Sequence, residues 1–123
     1  MSLSLGLGVN DTIFGKILRG EIPSRKVYED DEILAFHDIN PVAEVHFLII
    51  PKKFIPSLME VSGEDAPVLG RMLALAPKLA REQGLTAGFR SVINTGVMGR
   101  QDVYHLHLHV FGNKPESSAL RVM

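Results

Sequence analysis

The chain has 123 residues, enough for one domain with a proper core and too few for a comfortable second one. Its 13 basic and 14 acidic side chains leave a formal net charge of -1, so no basic excess marks a nucleic acid as partner. No cysteine is present, which excludes disulfides, iron–sulfur clusters, thiolate zinc sites and a cysteine nucleophile.

Met1 to Val9 mixes Ser, Leu and Gly without a basic segment, and is too short and broken for a signal peptide or a membrane span. Residues 1–10 are expected to form a disordered tail, on a cytoplasmic protein with no membrane partner. Asp11 is the expected N-cap of a short helix through Arg19, with Ile13, Phe14, Ile17 and Leu18 on its apolar side and Gly20 ending it. Two strands follow, Lys26 to Glu29 and Ile33 to Asp38, joined by the polar turn Glu29-Asp30-Asp31-Glu32. Asn40-Pro41 then breaks the chain. Val45 to Ile50, closed by Pro51, is an apolar run expected as a central strand with His46 embedded in it.

Ser62 to Gln83 is the long helical segment. Ser62 and Asp65 suit a capping box, Gly84 suits a C-terminal stop, and Pro77 predicts a kink. Leu69, Met72, Leu73, Ala76, Leu79 and Ala80 have the spacing of a buried stripe. Phe89 to Asn94 and Val103 to Gly112 complete the strands, with the loop Thr95 to Gln101 between them. One long and one short helix among these strands predict an α+β domain with a mostly antiparallel five-stranded sheet.

Three of the five histidines, His105, His107 and His109, stand at alternate positions of the last strand. Alternation sends them to one face, roughly 7 Å apart, and sends Leu106, Leu108 and Val110 to the other. Three explanations compete: a solvated sheet face, a metal site offering imidazole nitrogens to zinc, or metal-free chemistry with one imidazole as nucleophile. Three histidines in this register fit the first poorly.

The run His105-Leu106-His107-Leu108-His109-Val110-Phe111 resembles the motif of the histidine triad (HIT) superfamily. Asp11-Thr12-Ile13-Phe14-Gly15-Lys16-Ile17, Glu21-Ile22-Pro23, Phe36-His37-Asp38-Ile39 and His46-Phe47 through Ile49-Ile50-Pro51-Lys52-Lys53 resemble its Hint branch. The resemblance spans 11–112 as a HIT domain, leaving 113–123 as a C-terminal tail, and implies a HIT-like fold. It also implies a purine nucleoside phosphoramidase, homodimeric, using no metal or other cofactor and acting through a nucleotidyl-histidine intermediate. His107 would be the nucleophile and the His105 carbonyl would hold its other nitrogen. His109 and His46 would donate to the phosphate, and Asp38 would bind the ribose. Phe14, Ile22, Phe36, His37 and Ile39 would hold the base, with Asn94 on the phosphate side.

The loop Gly99-Arg100-Gln101-Asp102 departs from the branch's usual Gly-Gly-Gln-Ser. It is expected to face the substrate, with Asp102 repelling the phosphate or protonating the leaving amine. Two other readings stay open at this point: a metal-dependent hydrolase using the histidines as ligands, and a nucleotide-binding regulatory protein with vestigial hydrolysis. Ordinary structural roles are also available, since Phe14, Ile22, Phe36 and Ile39 suit a core, and Asp38 suits a turn cap.

Overall fold

The computed structural model describes residues 10–116; the tail expected over 1–9 and the end of the tail over 117–123 lie outside them. The elements are α1 (Ile13–Leu18), β1 (Lys26–Glu29), β2 (Ile33–His37), β3 (Val45–Pro51), α2 (Ala66–Glu82), β4 (Arg90–Val92) and β5 (Leu108–Gly112). The strands form one antiparallel sheet in the order β1-β2-β3-β5-β4, so the fold is α+β as the sequence predicts.

Each boundary has a local cause. The β1–β2 turn closes on Asp30, whose Oδ1 accepts from the backbone N–H of Glu32 and Ile33, both at 2.8 Å. Arg71 of α2 ion-pairs with Asp30 and Glu32, tying that turn to the helix. Asp65 accepts from the Ser62 N–H at 3.0 Å, the capping geometry expected, although a 3₁₀ turn over Gly63–Asp65 precedes the helix proper. Gly84 ends α2 in the left-handed region at φ +96°, with Leu85 N–H donating to the Ala80 carbonyl and Gly84 N–H to that of Arg81. That pair of bonds is the Schellman stop. Helix α2 runs on through Pro77 to Glu82.

Period two divides the strand residues between two cores. Ile33, Ala35, Val45, Phe47, Ile49, Leu108 and Val110 pack against Met72, Ala76, Leu79 and Ala80 of α2. Leu34, Phe36, Leu48 and Ile50 point to the opposite face, where Phe14, Ile17 and Leu18 of α1 and Val103 pack against them. The helix stripe needs one correction: Leu73 is 56% exposed, because the sheet is wide enough to cover only the Met72–Ala76–Leu79 side.

Four further expectations are corrected. Thr12, not Asp11, caps α1, its hydroxyl accepting from the Gly15 N–H at 3.0 Å. Asn10, placed in the tail by sequence, is buried and hydrogen-bonded into the fold. Asn113 and Lys114 are likewise held, by Glu44, so the ordered part runs past Gly112. Finally, β4 is only three residues long and β5 starts at Leu108, so His105 and His107 precede the ladder. Leu106 N–H donates instead to the Ile55 carbonyl at 2.7 Å.

Candidate active site

On the face opposite α2 lies a cleft of about 450 Å³, bounded by α1, the Ile22-to-Arg25 stretch, the end of β2 and the start of β5. A volume of this order suits a small-molecule ligand. Its walls are apolar on the α1 side, where Phe14 and Phe36 meet edge to face with centroids 5.5 Å apart. Its floor is polar, and His107 and His109 reach it.

The partners of each imidazole fix its tautomer. His107 Nδ1 lies 2.8 Å from the His105 carbonyl, which can only accept, so Nδ1 carries the proton and Nε2 keeps a free lone pair. Phe14 meets the His107 ring edge-on at 5.0 Å and holds its plane. Asp102 Oδ1 lies 3.6 Å from that Nε2, on a side chain 78% exposed at the mouth. The second relay begins at Val42, whose backbone N–H donates to His46 Nδ1 at 3.2 Å. His46 must therefore carry its proton on Nε2, which donates to His109 Nδ1 at 2.9 Å. His109 then presents Nε2–H. Burial pushes His46 and His109 below the ordinary imidazole range, and at His109 the neighbouring His107 and His46 push further. Neutral imidazoles are what both relays require.

Asp38 divides its carboxylate between two tasks. Oδ1 accepts from the Asn40 N–H at 2.8 Å, which is the turn cap that its sequence context suggests. Oδ2 sits 3.4 Å from His46 Nε2 on the cleft side. Asp38, His46 and His109 bring one ligand atom each within 4.8 Å of one another. The bond from Val42 counts against a cation there, because a His46 that ligates through Nε2 would turn an Nδ1–H against the Val42 N–H.

Of the residues singled out by sequence, Phe14, Ile22, Phe36, His37, Asp38, Ile39, Asp102, His107 and His109 line the cleft. Ile39 does so from an exposed rim position, at 84%. His46 stands behind His109. His105 does not line the cleft: its ring is wholly buried behind Phe14 and beside Phe54, and only its carbonyl serves His107. Three imidazoles in a row on one open face is thus corrected to two, because the segment leaves strand geometry before Leu108.

Asn94, Gly99, Arg100 and Gln101 are not among the residues that line the cleft. The Gln101 side chain is consumed internally, donating to the Pro56 and Val103 carbonyls and accepting from the Gly96 N–H. Arg100 holds φ +60°, the left-handed conformation that glycine adopts without strain, with its side chain exposed. Sequence reasoning missed Ser24, Arg25 and Asn40, which complete the rim, and Asn10 behind the triad. The proline at position 23 was the available signal for an extended rim; Asn10 carried none.

Comparison with known proteins matches this geometry to a family. A family model described as scavenger mRNA decapping enzyme C-term binding matches residues 11–122. An uncharacterised HIT-like protein of Synechococcus elongatus is 53% identical over 104 residues, covering 85% of this chain and 91% of its own. A purine nucleoside phosphoramidase of Escherichia coli (strain K12) is 48% identical over 106 residues, covering 85% and 89%. A solved structure of a HIT family hydrolase from Legionella pneumophila superposes with a TM-score of 0.81 at 45% identity, covering 88% of this chain and 97% of that one. Among the described residues, no helix is long and apolar enough to cross a membrane.

Proposed function

The chain belongs to the histidine triad (HIT) family, and from that premise we propose that it hydrolyses purine nucleoside 5′-phosphoramidates to the nucleoside monophosphate. One observation carries the reading: His107 is held by the His105 carbonyl so that its unprotonated Nε2 is available at the floor of a nucleotide-sized cleft. In the first step Nε2 bonds the α-phosphorus and the phosphorus–nitrogen bond breaks, the amine leaving with one proton taken from solvent at the open mouth beside Asp102. In the second, water attacks the same phosphorus, the Nε2–phosphorus bond breaks, and the water proton is released. The net change adds one water across the phosphorus–nitrogen bond.

The remaining roles follow from position. His109 donates Nε2–H to a phosphate oxygen, and His46 holds His109 in that tautomer rather than touching phosphate itself. Asp38 Oδ2 accepts from the ribose hydroxyls while Oδ1 keeps its turn. Phe14, Ile22, Phe36, His37 and Ile39 take the base, and Asp102 stands where the leaving amine picks up its proton. Asn94, Gly99, Arg100 and Gln101 stand away from the cleft lining and take no direct part in these steps.

The same reading makes the protein a cytoplasmic homodimer with no cofactor, joined through the free edge at β4 and the exposed Leu73 side of α2. Sedimentation of the natural protein at micromolar concentration reads the dimer directly; a monomer would remove it. The activity is tested by AMP release from adenosine 5′-phosphoramidate, with and without chelator, for the natural protein and His107→Ala. Chelator-resistant turnover that the variant loses supports the mechanism. Turnover abolished by chelator alone gives the site to a metal, and absent turnover with retained AMP binding gives it to a regulatory role.

A further inference from the structure

Asn10 is a buried polar residue that the proposed reaction does not use, and its carboxamide has only one workable orientation. The Thr12 N–H and hydroxyl both donate to Oδ1, at 3.1 and 2.6 Å. A flipped amide would set its NH₂ against the Thr12 N–H, so the nitrogen faces the other way. There Nδ2 lies 2.7 Å from His105 Nδ1. An amide NH₂ donates and does not accept, so His105 Nδ1 is the bare nitrogen. The proton must then sit on Nε2, which donates to the Pro51 carbonyl at 2.7 Å. Both nitrogens of this buried ring are satisfied in the neutral Nε2–H form alone.

The segment bearing Asn10 is clamped as well. Arg19 Nη1 donates to the Asn10 carbonyl at 2.6 Å. Gly15 lets that carbonyl approach α1, for a Cβ there would come within 2.3 Å of the oxygen. Around His105 stand Asn10, Phe14 of α1, the Pro51 carbonyl, Phe54 and His107, and of these only His107 titrates.

We propose that Asn10 is a positioning residue for the nucleophile, holding His105 in its neutral Nε2–H tautomer behind His107. As His107 Nε2 bonds phosphorus, positive charge develops on that ring, and a charged His105 beside it would oppose the step. The His105 carbonyl that orients His107 also stays in place only while its own side chain is anchored. This catalytic consequence rests on His107 being the nucleophile; the tautomer assignment does not.

Two measurements test it. In the natural protein, ¹⁵N NMR of the His105 ring is expected to report a neutral Nε2–H imidazole between about pH 6 and 8. A protonated ring or an Nδ1–H tautomer in that range overturns the proposal, even if no variant folds and even if the phosphoramidase reading fails. The second is Asn10→Asp, which keeps the cap on Thr12 but turns an acceptor toward Nδ1. His105 should then take up a proton, and kcat for adenosine 5′-phosphoramidate should fall roughly tenfold or more at pH 7. KM should stay within about twofold, and kcat should recover as pH rises and the extra proton leaves. Asn10→Ala, which adds no charge, should lose less. A folded Asn10→Asp whose kcat profile against pH overlays that of the natural protein would sink the proposal.

Discussion

Along β3, Val45, Phe47 and Ile49 point to α2, while His46, Leu48 and Ile50 point to α1 and the cleft. The same alternation in β5 gives Leu108 and Val110 to one face and His109 to the other. On the α2 face the contacts are aliphatic and non-directional, so the side chains matter by volume. On the cleft face His46, His107 and His109 are each committed to a named donor or acceptor, so these side chains matter by proton position. One sheet therefore divides stability from chemistry by residue parity.

The largest effect that can break this division is His107→Ala. It should cost at least about a thousandfold in kcat, since nothing substitutes for the nucleophile. Phe47→Ala is the mirror case on the other face. Removing a fully buried ring there should cost about 3–5 kcal/mol, a large part of a small domain's stability, read as a fall in urea midpoint. The fraction that stays folded should keep the natural KM. A Phe47→Ala protein of normal stability but altered KM would put the boundary between the faces in the wrong place.

His46→Ala sharpens the comparison, because His46 sits in the core strand yet serves the cleft. Losing its bond to His109 Nδ1 should cost about 1.5–3 kcal/mol of transition-state stabilisation, roughly ten- to a hundredfold in kcat. His46→Gln should recover part of that loss; equal loss in both variants would argue for packing instead.

The smallest effect is acid sensitivity. His46, His105 and His109 are all held below the ordinary range, first by burial, so the folded state resists protons that the unfolded chain accepts near pH ~6.5. Their stabilisation is complete above that pH and is lost as pH falls through the lower folded values. The melting temperature should be flat above about pH 7 and decline toward pH 5, before carboxylates titrate near ~4. A flat curve between pH 7 and 5 would contradict neutral imidazoles on the cleft face.

The sequence showed the β1–β2 hairpin, β3, the α2 stripe and the triad because each is a local pattern with a period or a cap. It misjudged the triad's setting for a physical reason. Alternation reports parity but not pairing, and His105 and His107 stand upstream of the Ile49–Leu108 pair that opens the ladder. Gln101 looked like a ligand contact because one of its partners, the Pro56 carbonyl, lies 45 positions away in sequence. Asn10 was invisible for the same reason, its partner His105 being 95 positions away. The Asp38 turn was legible and is present on Oδ1, which leaves Oδ2 on the cleft side, 3.4 Å from His46 Nε2.

The most direct test of the central claim is a rapid-quench reaction of stoichiometric adenosine 5′-phosphoramidate, with intact-protein and peptide mass spectrometry on the quenched enzyme. The account predicts a transient adduct of one AMP moiety on His107, resistant to chelator and absent in His107→Ala. Full turnover with no adduct on His107, or an adduct on another residue, would contradict it.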